Sequence, residues 1–149
     1  MNKFVTIYNI EAYIGTAESS GTWTYAKLAE GIDNMSEALN EVVQQYQFLS
    51  GAGFAENHVT GAAPAYTFTG KRVLGDNAQD YIFSKKWTLD GDRDSSFKLV
   101  RTNNMASPAT TETLIVPCTI CNIQELDGAA TDDASISFEI RFNGAPTIS

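Results

Sequence analysis

The chain predicts a β-rich α+β fold of about seven strands and one short helix, closed as a sandwich or a barrel. Three observations carry that expectation. Apolar residues alternate at period two in several stretches, turn-forming residues separate those stretches, and one segment alone has helix start and stop signals. A length of 149 residues suits a single domain over residues 1–149, large enough to bury a core without disulfide or metal staples.

The strands follow in order. Phe4 to Ile14, Thr22 to Leu28, Val42 to Leu49, Ala65 to Thr69, Phe97 to Thr102, Thr113 to Ile123 and Ala134 to Phe142 alternate or are rich in strand formers. The last is the clearest. Ile136, Phe138, Ile140 and Phe142 share one face, and Ser135, Ser137, Glu139 and Arg141 share the other. Turns are expected at Glu18 to Gly21, Gly51 to Gly53, Gly61 to Pro64, Asp90 to Asp94 and Asp127 to Asp133. Met35 to Tyr46 is mixed: its first half favours helix by propensity, while Val42 onward alternates as a strand.

The helix lies within Gly75 to Trp87. Asp76 can cap its first turn, and Gln79 is placed to reach back as in a capping box. Asp80 near the start and Lys85 and Lys86 near the end suit the helix dipole. Ala78, Tyr81 and Ile82 form the stripe that would meet a sheet.

Composition narrows the function. Hydrophobic content of 43% with 19% charged residues describes an ordinary globular protein. The net charge of -8 argues against an affinity surface for nucleic acid, though not against a surface that repels it. The first residues lack the pattern of a signal peptide, and no apolar run approaches the roughly 20 residues of a membrane helix. No membrane association and a cytosolic, reducing site of synthesis are therefore expected.

Candidate chemistry is sparse. Cys118 and Cys121 form a C-x-x-C pair, yet one His, His58, cannot complete a four-ligand zinc site with them. Their flanks, Leu114 to Val116 with Ile120 and Ile123, form strand rather than the helix N-terminus that activates a redox thiol. Residues three apart on a strand point to opposite faces, so the two are read as packing residues. The apolar flanks suggest a strand covered on both faces, inside a sandwich or at a subunit junction. Asp90 to Ser96 opens like a calcium loop, but the positions that should hold Gly and Glu hold Ser95 and Arg101. Gly51 to Asn57 lacks the context of a dinucleotide fingerprint, and no phosphate loop exists. His58 in ENHVTG has no mark of a general base. No enzyme, catalytic residue, metal or cofactor is expected.

Two longer stretches, LNEVVQQYQFLSGAGFAENHVTG (Leu39 to Gly61) and YTFTGKRVLGDNAQDYIFS (Tyr66 to Ser84), resemble the major tail tube proteins of long-tailed bacteriophages and prophages of Gram-positive hosts. Thr22 to Asp33 and Ser135 to Thr147 fit the same pattern, so the resemblance spans nearly the whole chain. It implies two packed antiparallel sheets with a flanking short helix, and a structural role. Subunits would form hexameric rings whose sheets join into one inner β-barrel. The rings would stack into a tail tube around a tape-measure protein, bounded by a tail terminator and tail-tip or baseplate proteins. Double-stranded DNA would pass through without sequence-specific binding. The expected location is the virion tail, assembled in the host cytoplasm.

The resemblance also assigns candidate residues. The capped helix, with Asp76, Gln79, Tyr81, Ile82 and Lys85, would pack between sheets and contact the adjacent subunit; the alternative for most of its side chains is a helix that covers a sheet within one monomer. The polar stretch from Asp33 to Asn40, with Asp33, Asn34, Ser36 and Glu37, sits where the family has a loop that engages the next ring. Gly51 to Pro64 is the rival. Gln45, Ser137 and Glu139 would face the lumen or the tube exterior. The alternative function is a monomeric β-sandwich binding or adhesion module of a phage tail or bacterial surface.

Overall fold

A computed structural model describes residues 4–103 and 105–149. The chain is mainly β, with two antiparallel sheets and one short helix, as the sequence and the resemblance lead one to expect. The strands are β1 (Glu11–Ser19), β2 (Thr22–Lys27), β3 (Ile32–Ala38), β4 (Val42–Tyr46), β5 (Glu56–Gly61), β6 (Ala65–Lys71), β7 (Asp94–Asn103), β8 (Thr110–Asp127), β9 (Ser135–Phe142) and β10 (Thr147–Ile148). The helix α1 is Asn77–Ser84. The large sheet runs β2-β1-β7-β8-β9-β6-β3, with β10 on the upper part of β8, and β4 and β5 form the second sheet.

The layers arise because the large sheet curls on itself. On a flat sheet β6 and β7, separated by β8 and β9, would stand about 14 Å apart. The Tyr66 and Phe97 ring centres are instead 5.4 Å apart, and Phe68 stacks on Phe138 at 5.3 Å. Ile14, Phe97, Val116, Cys118, Ile120, Phe138 and Ile140 close the interior from successive strands, all fully buried or nearly so. Helix α1 caps this concave side, with Ala78 and Ile82 buried and the Phe83 ring edge-on to Phe138.

The two edges of the curled sheet meet at one corner. β2 and β3 lie at opposite edges, yet only residues 28–31 join them. Two glycines permit the approach. Gly31 has φ +76°, and a Cβ on Gly70 would stand 1.9 Å from the Gly31 carbonyl oxygen. Gln79 completes the joint from the helix. Its Nε2 donates to the carbonyls of Glu30 (2.8 Å) and Lys71 (3.1 Å), and its Oε1 accepts from the Val73 amide at 2.8 Å.

Several expectations need correction. Gln79 does not reach back to Asp76; only half of the capping box forms, with the Asp76 carboxylate accepting from the Gln79 amide at 3.0 Å. The first strand starts at Glu11, because Phe4, Val5, Ile7 and Tyr8 are exposed and regular burial begins at Ala12. The stretch from Asp33 to Asn40 is not a loop or a helix: its residues to Ala38 form β3, paired along β6 from Ile32↔Gly70 to Ala38↔Ala65. Helix propensity there loses to a neighbouring strand with open hydrogen-bonding groups. ENHVTG, inside the Gly51 to Pro64 stretch that is the rival loop candidate, is β5. The strand that holds both cysteines is covered on one face only within the subunit, since Ile115 and Pro117 of the alternate face are exposed.

Candidate assembly surfaces

Alternation on β9 builds the first surface. With Ile136, Phe138 and Ile140 turned into the core, Ser135, Ser137, Glu139 and Arg141 are placed on the convex side. Glu139 is held from two sides: Arg141 Nε donates to one oxygen at 2.7 Å and Asn122 Nδ2 to the other at 2.9 Å. The Arg141 hydrogen bond, above all, keeps the Glu139 carboxyl below its ordinary value. Asn122 sits at φ 52°, where the pairing of β8 with β9 slips between Cys121 and Gln124. Ser137 lies between Thr69 and Gln124 in the ladder, and Ser135 accepts from Lys71 Nζ at 2.8 Å. The result is a surface of short polar side chains whose arginine is tied to a carboxylate of its own strand.

The second surface is the arm formed by β4 and β5. It continues the β3–β6 hairpin beyond a kink. Asn40, at φ 48°, donates from Nδ2 to the Ala63 carbonyl at 3.0 Å, and the Ala63 amide donates to Leu39 at 2.9 Å. From residue 36 to 60 every residue except Gly51 is exposed. That stretch includes Val42, Val43, Tyr46, Phe48, Leu49, Phe54 and Val59. Tyr46 stacks on Phe48 at 5.5 Å and leans on His58 at 5.8 Å. Gln45 bonds Asn57 on the same arm at 3.1 Å, so it shares no face with Ser137 and Glu139. So long an exposed apolar structure is unusual for a lone soluble chain.

The candidate ring-contact residues Asp33, Asn34, Ser36 and Glu37 lie along β3, the edge strand of the large sheet. Asp33 accepts from Thr69 Oγ1 at 3.3 Å and Glu37 accepts from the Tyr66 hydroxyl. Burial, with Glu37 second, raises the Tyr66 pKa. Among the described residues, the other side of β3 has no partner strand within the subunit.

The helix is held by a small ion network. Arg72 reaches Asp80 at 3.0 Å and Glu125 at 2.8 Å, and Lys86 meets the other Glu125 oxygen at 2.8 Å. The Arg72 guanidinium carbon also lies 4.8 Å from the Phe83 ring centre. Lys86 and then Arg72 hold the Glu125 carboxyl below its usual range. Among the helix candidates, Gln79 and Ile82 are fully buried within the subunit, so a neighbour can meet the helix only through side chains such as Tyr81 and Lys85.

Residues with potential chemistry are dispersed. Cys118 is buried and Cys121 half-buried, both as free thiols on opposite faces of β8. Burial pushes the Cys118 thiol up to about 12. His58 is exposed on the arm, with Glu56 of its own strand 3.7 Å away. The sequence signal for the arm was the alternation around Val42 to Phe48 and the lack of any Lys or Arg between Lys27 and Lys71. Neither signal says that the strands stand clear of the body. Among the described residues, no helix is long and apolar enough to cross a membrane.

No family model matches the chain, and no curated protein matches it. Solved structures do. The chain is similar to one in the tail of an empty gene transfer agent particle with C6 symmetry, at TM-score 0.70 and 13% identity over 98% of this chain and 99% of that one. A chain of the native gene transfer agent virion matches at 0.67 and 12%, again over 98% and 99%. A chain from the sheath/tube terminator of an extracellular contractile injection system matches at 0.62 and 11%, over 99% and 98%. At these identities the likeness establishes the fold, shared end to end with structural components of tails and injection systems. It spans gene transfer agents and contractile systems alike, and does not point to long-tailed phages or to a Gram-positive host.

Proposed function

We propose that the chain is the tube subunit of a bacteriophage-type tail, a structural protein without catalytic activity. The observation that carries this reading is the arm: a chain with this much apolar surface held outside its body is built to be covered by another copy. The fold likeness to a tail particle of C6 symmetry supports rings of six, stacked into a tube. In that reading the open β3 edge is completed by the next subunit, which removes an aggregation hazard and extends the sheet toward a closed barrel. The arm, which includes most of the range from Gly51 to Pro64, reaches the next ring in place of the Asp33 to Glu37 stretch. Tyr81 and Lys85 meet the adjacent subunit.

The convex polar face is the proposed lumen lining, with Ser137 and Glu139 exposed to the channel. Short hydroxyl side chains and an arginine tied to Glu139 leave Lys71, bonded to Ser135, as the lysine of this face, so DNA meets few phosphate contacts in transit. The tape-measure protein, terminator and tail-tip proteins complete the proposed partners. A long-tailed phage or prophage of a Gram-positive host, with assembly in the host cytoplasm, is the specific setting the sequence resemblance favours. Electron microscopy of concentrated purified protein tests the reading. Six-fold rings or tubes are expected; a strictly monomeric species that binds glycans would replace it with the adhesion-module alternative.

A further inference from the structure

The first strand is shorter than its residue types allow. Strand formers run through residues 4–14, yet β1 begins at Glu11. Before it the backbone bonds are local: Asn9 N donates to Thr6 O at 3.0 Å, and Ile10 N to Ile7 O at 2.9 Å. The neighbouring strand runs further. β7 pairs with β1 as far as Glu11↔Val100, and with β8 on its other side as far as Asn103↔Thr110. Among the described residues, no strand pairs with Arg101, Thr102 and Asn103 on the β1 side. A cavity of about 500 Å³ lies there, lined by Thr6, Asn9, Arg101, Thr102 and Asn103. The same segment borders a second cavity, of about 390 Å³, at the margin of the core. Val5 and Ile7 line it together with Met35, Tyr66, Leu99 and Leu114. That seat is loose, since Val5 is 68% and Ile7 54% exposed.

We infer that residues 4–10 are a two-position strap, seated on the core margin in one position and zipped onto β7 as an extension of β1 in the other. Two sets of backbone bonds fix the register of the zipped form. Leu28 N donates to Ala12 O, which turns Ala12 toward β2 and so turns Glu11 and Tyr13 toward β7. Thr113 exchanges bonds with Ser149, which turns it away from β7. Its partner Val100 and, two residues on, Thr102 therefore direct N–H and C=O away from β8, into the vacant side. Continuing Glu11↔Val100 by two places opposes Asn9 to Thr102, in a pair that exchanges both backbone bonds. The backbone count is even, because the strand gains these two bonds and gives up the two turn bonds. Alternation carries Val5 and Ile7 to the side of Glu11 and Tyr13, away from the core margin. The strand position thus opens the margin that the turn position covers. Two half-exposed side chains set the balance, so whatever else covers the margin or occupies the β7 edge decides it. The inference is independent of the proposed tube.

Two measurements on the full-length chain test it. In a Cys121→Ser background, Asn9→Cys/Thr102→Cys puts thiols at the opposed pair, with Cα atoms about 5.5 Å apart in the strand position. Asn9→Cys/Asn103→Cys is off register by one residue and points to opposite faces. Asn9, Thr102 and Asn103 are exposed, so thermal unfolding of the reduced variants should match Cys121→Ser. In oxidised glutathione the opposed pair should close at least about tenfold faster than the off-register pair. Closure should also raise the fluorescence of anilinonaphthalene sulfonate, a dye for exposed apolar surface, and reduction should reverse the rise. Equal closure rates overturn the inference, because they describe a tail without a register. Closure that leaves the dye signal unchanged does the same. The second measurement needs no cysteine. Val5→Thr/Ile7→Thr removes the apolar seat and keeps strand formers, so hydrogen exchange at the Thr102 amide should slow relative to wild type as the strand position fills. Exchange that is unchanged or faster overturns the inference.

Discussion

The curled body and the arm use the same residue types to opposite ends. In the body, period-two alternation puts Ile136, Phe138 and Ile140 at 3% exposure or less. In the arm, strand formers of the same kind, Val42, Val43, Tyr46 and Val59, stay between 44 and 61% exposed. Among the described residues, each arm strand pairs only with the other, and a two-stranded ribbon alone has marginal stability in water. The arm is therefore stabilised at its base, through Asn40 and the Leu39–Ala63 ladder bond, and by whatever covers its faces. The difference shows that an apolar pattern specifies a surface to be buried, but not the chain that buries it.

Breaking the body should cost most. Phe68 is 1% exposed and stacks on Phe138, so Phe68→Ala is expected to destabilise the isolated subunit by about 3–5 kcal/mol. Phe48→Ala, in the half-exposed arm, should change subunit stability by less than about 0.5 kcal/mol and yet impair assembly. Urea unfolding read beside sedimentation separates the two. Equal losses of stability at both sites would end the distinction between body and arm.

The corner where the sheet edges meet comes next in size. A Cβ at Gly70 would enter the backbone of Gly31, which cannot swing aside because Lys71 N donates to Gly31 O at 2.7 Å. Gly70→Ala should cost about 2–3 kcal/mol in urea unfolding, from overpacking against backbone. Gly53→Ala, in the arm with open space around it, meets no neighbour and pays only for its positive φ of 91°. A neutral Gly70→Ala would show that the corner is looser than its geometry.

How much of this was legible in the residues depends on what each feature needs. The strand β9, the helix cap at Asp76 and the opposite faces of Cys118 and Cys121 follow from local periodicity, and local periodicity is enough. β3 was not legible, because Asp33-Asn34-Met35-Ser36-Glu37 is a poor strand on propensity and becomes one only beside β6. Gln79 looked like half of a capping box, while its true partners Glu30, Lys71 and Val73 are set by the sheet corner, a long-range feature.

The Arg72–Glu125–Lys86 network offers a smaller effect. Side chains of Arg72 and Glu125 are 10 and 19% exposed, so Arg72→Met should cost about 1–2 kcal/mol, the solvent-facing Asp80 contact adding little. Its pH dependence has a definite sign. The folded Glu125 pKa lies below the unfolded value of about 4.3, so its stabilisation is present above that pH and fades as pH falls through the folded value. Glu125→Gln should thus lower the midpoint of thermal unfolding at neutral pH, and the gap to wild type should narrow near pH 3. A gap independent of pH would mean that the carboxylate charge does not hold the helix.

The cysteines give the finest version of the same comparison, within one strand. Cys118 shares the buried face of β8 with Val116 and Ile120, whereas Cys121 is half-buried on the open side. Cys118→Ser places a hydroxyl where a small hydrophobe packed, and is expected to cost about 1–3 kcal/mol. Cys121→Ser should stay within about 0.5 kcal/mol. Alkylation by iodoacetamide should be faster at Cys121, since Cys118 has no exposed surface and burial pushes its thiol up to about 12. Tube formation should be the same in reducing and oxidising buffer, because thiols on opposite faces of a strand cannot bridge. Assembly that depends on redox state would contradict the packing role of both residues, and rapid labelling of Cys118 in the folded subunit would show that β8 opens.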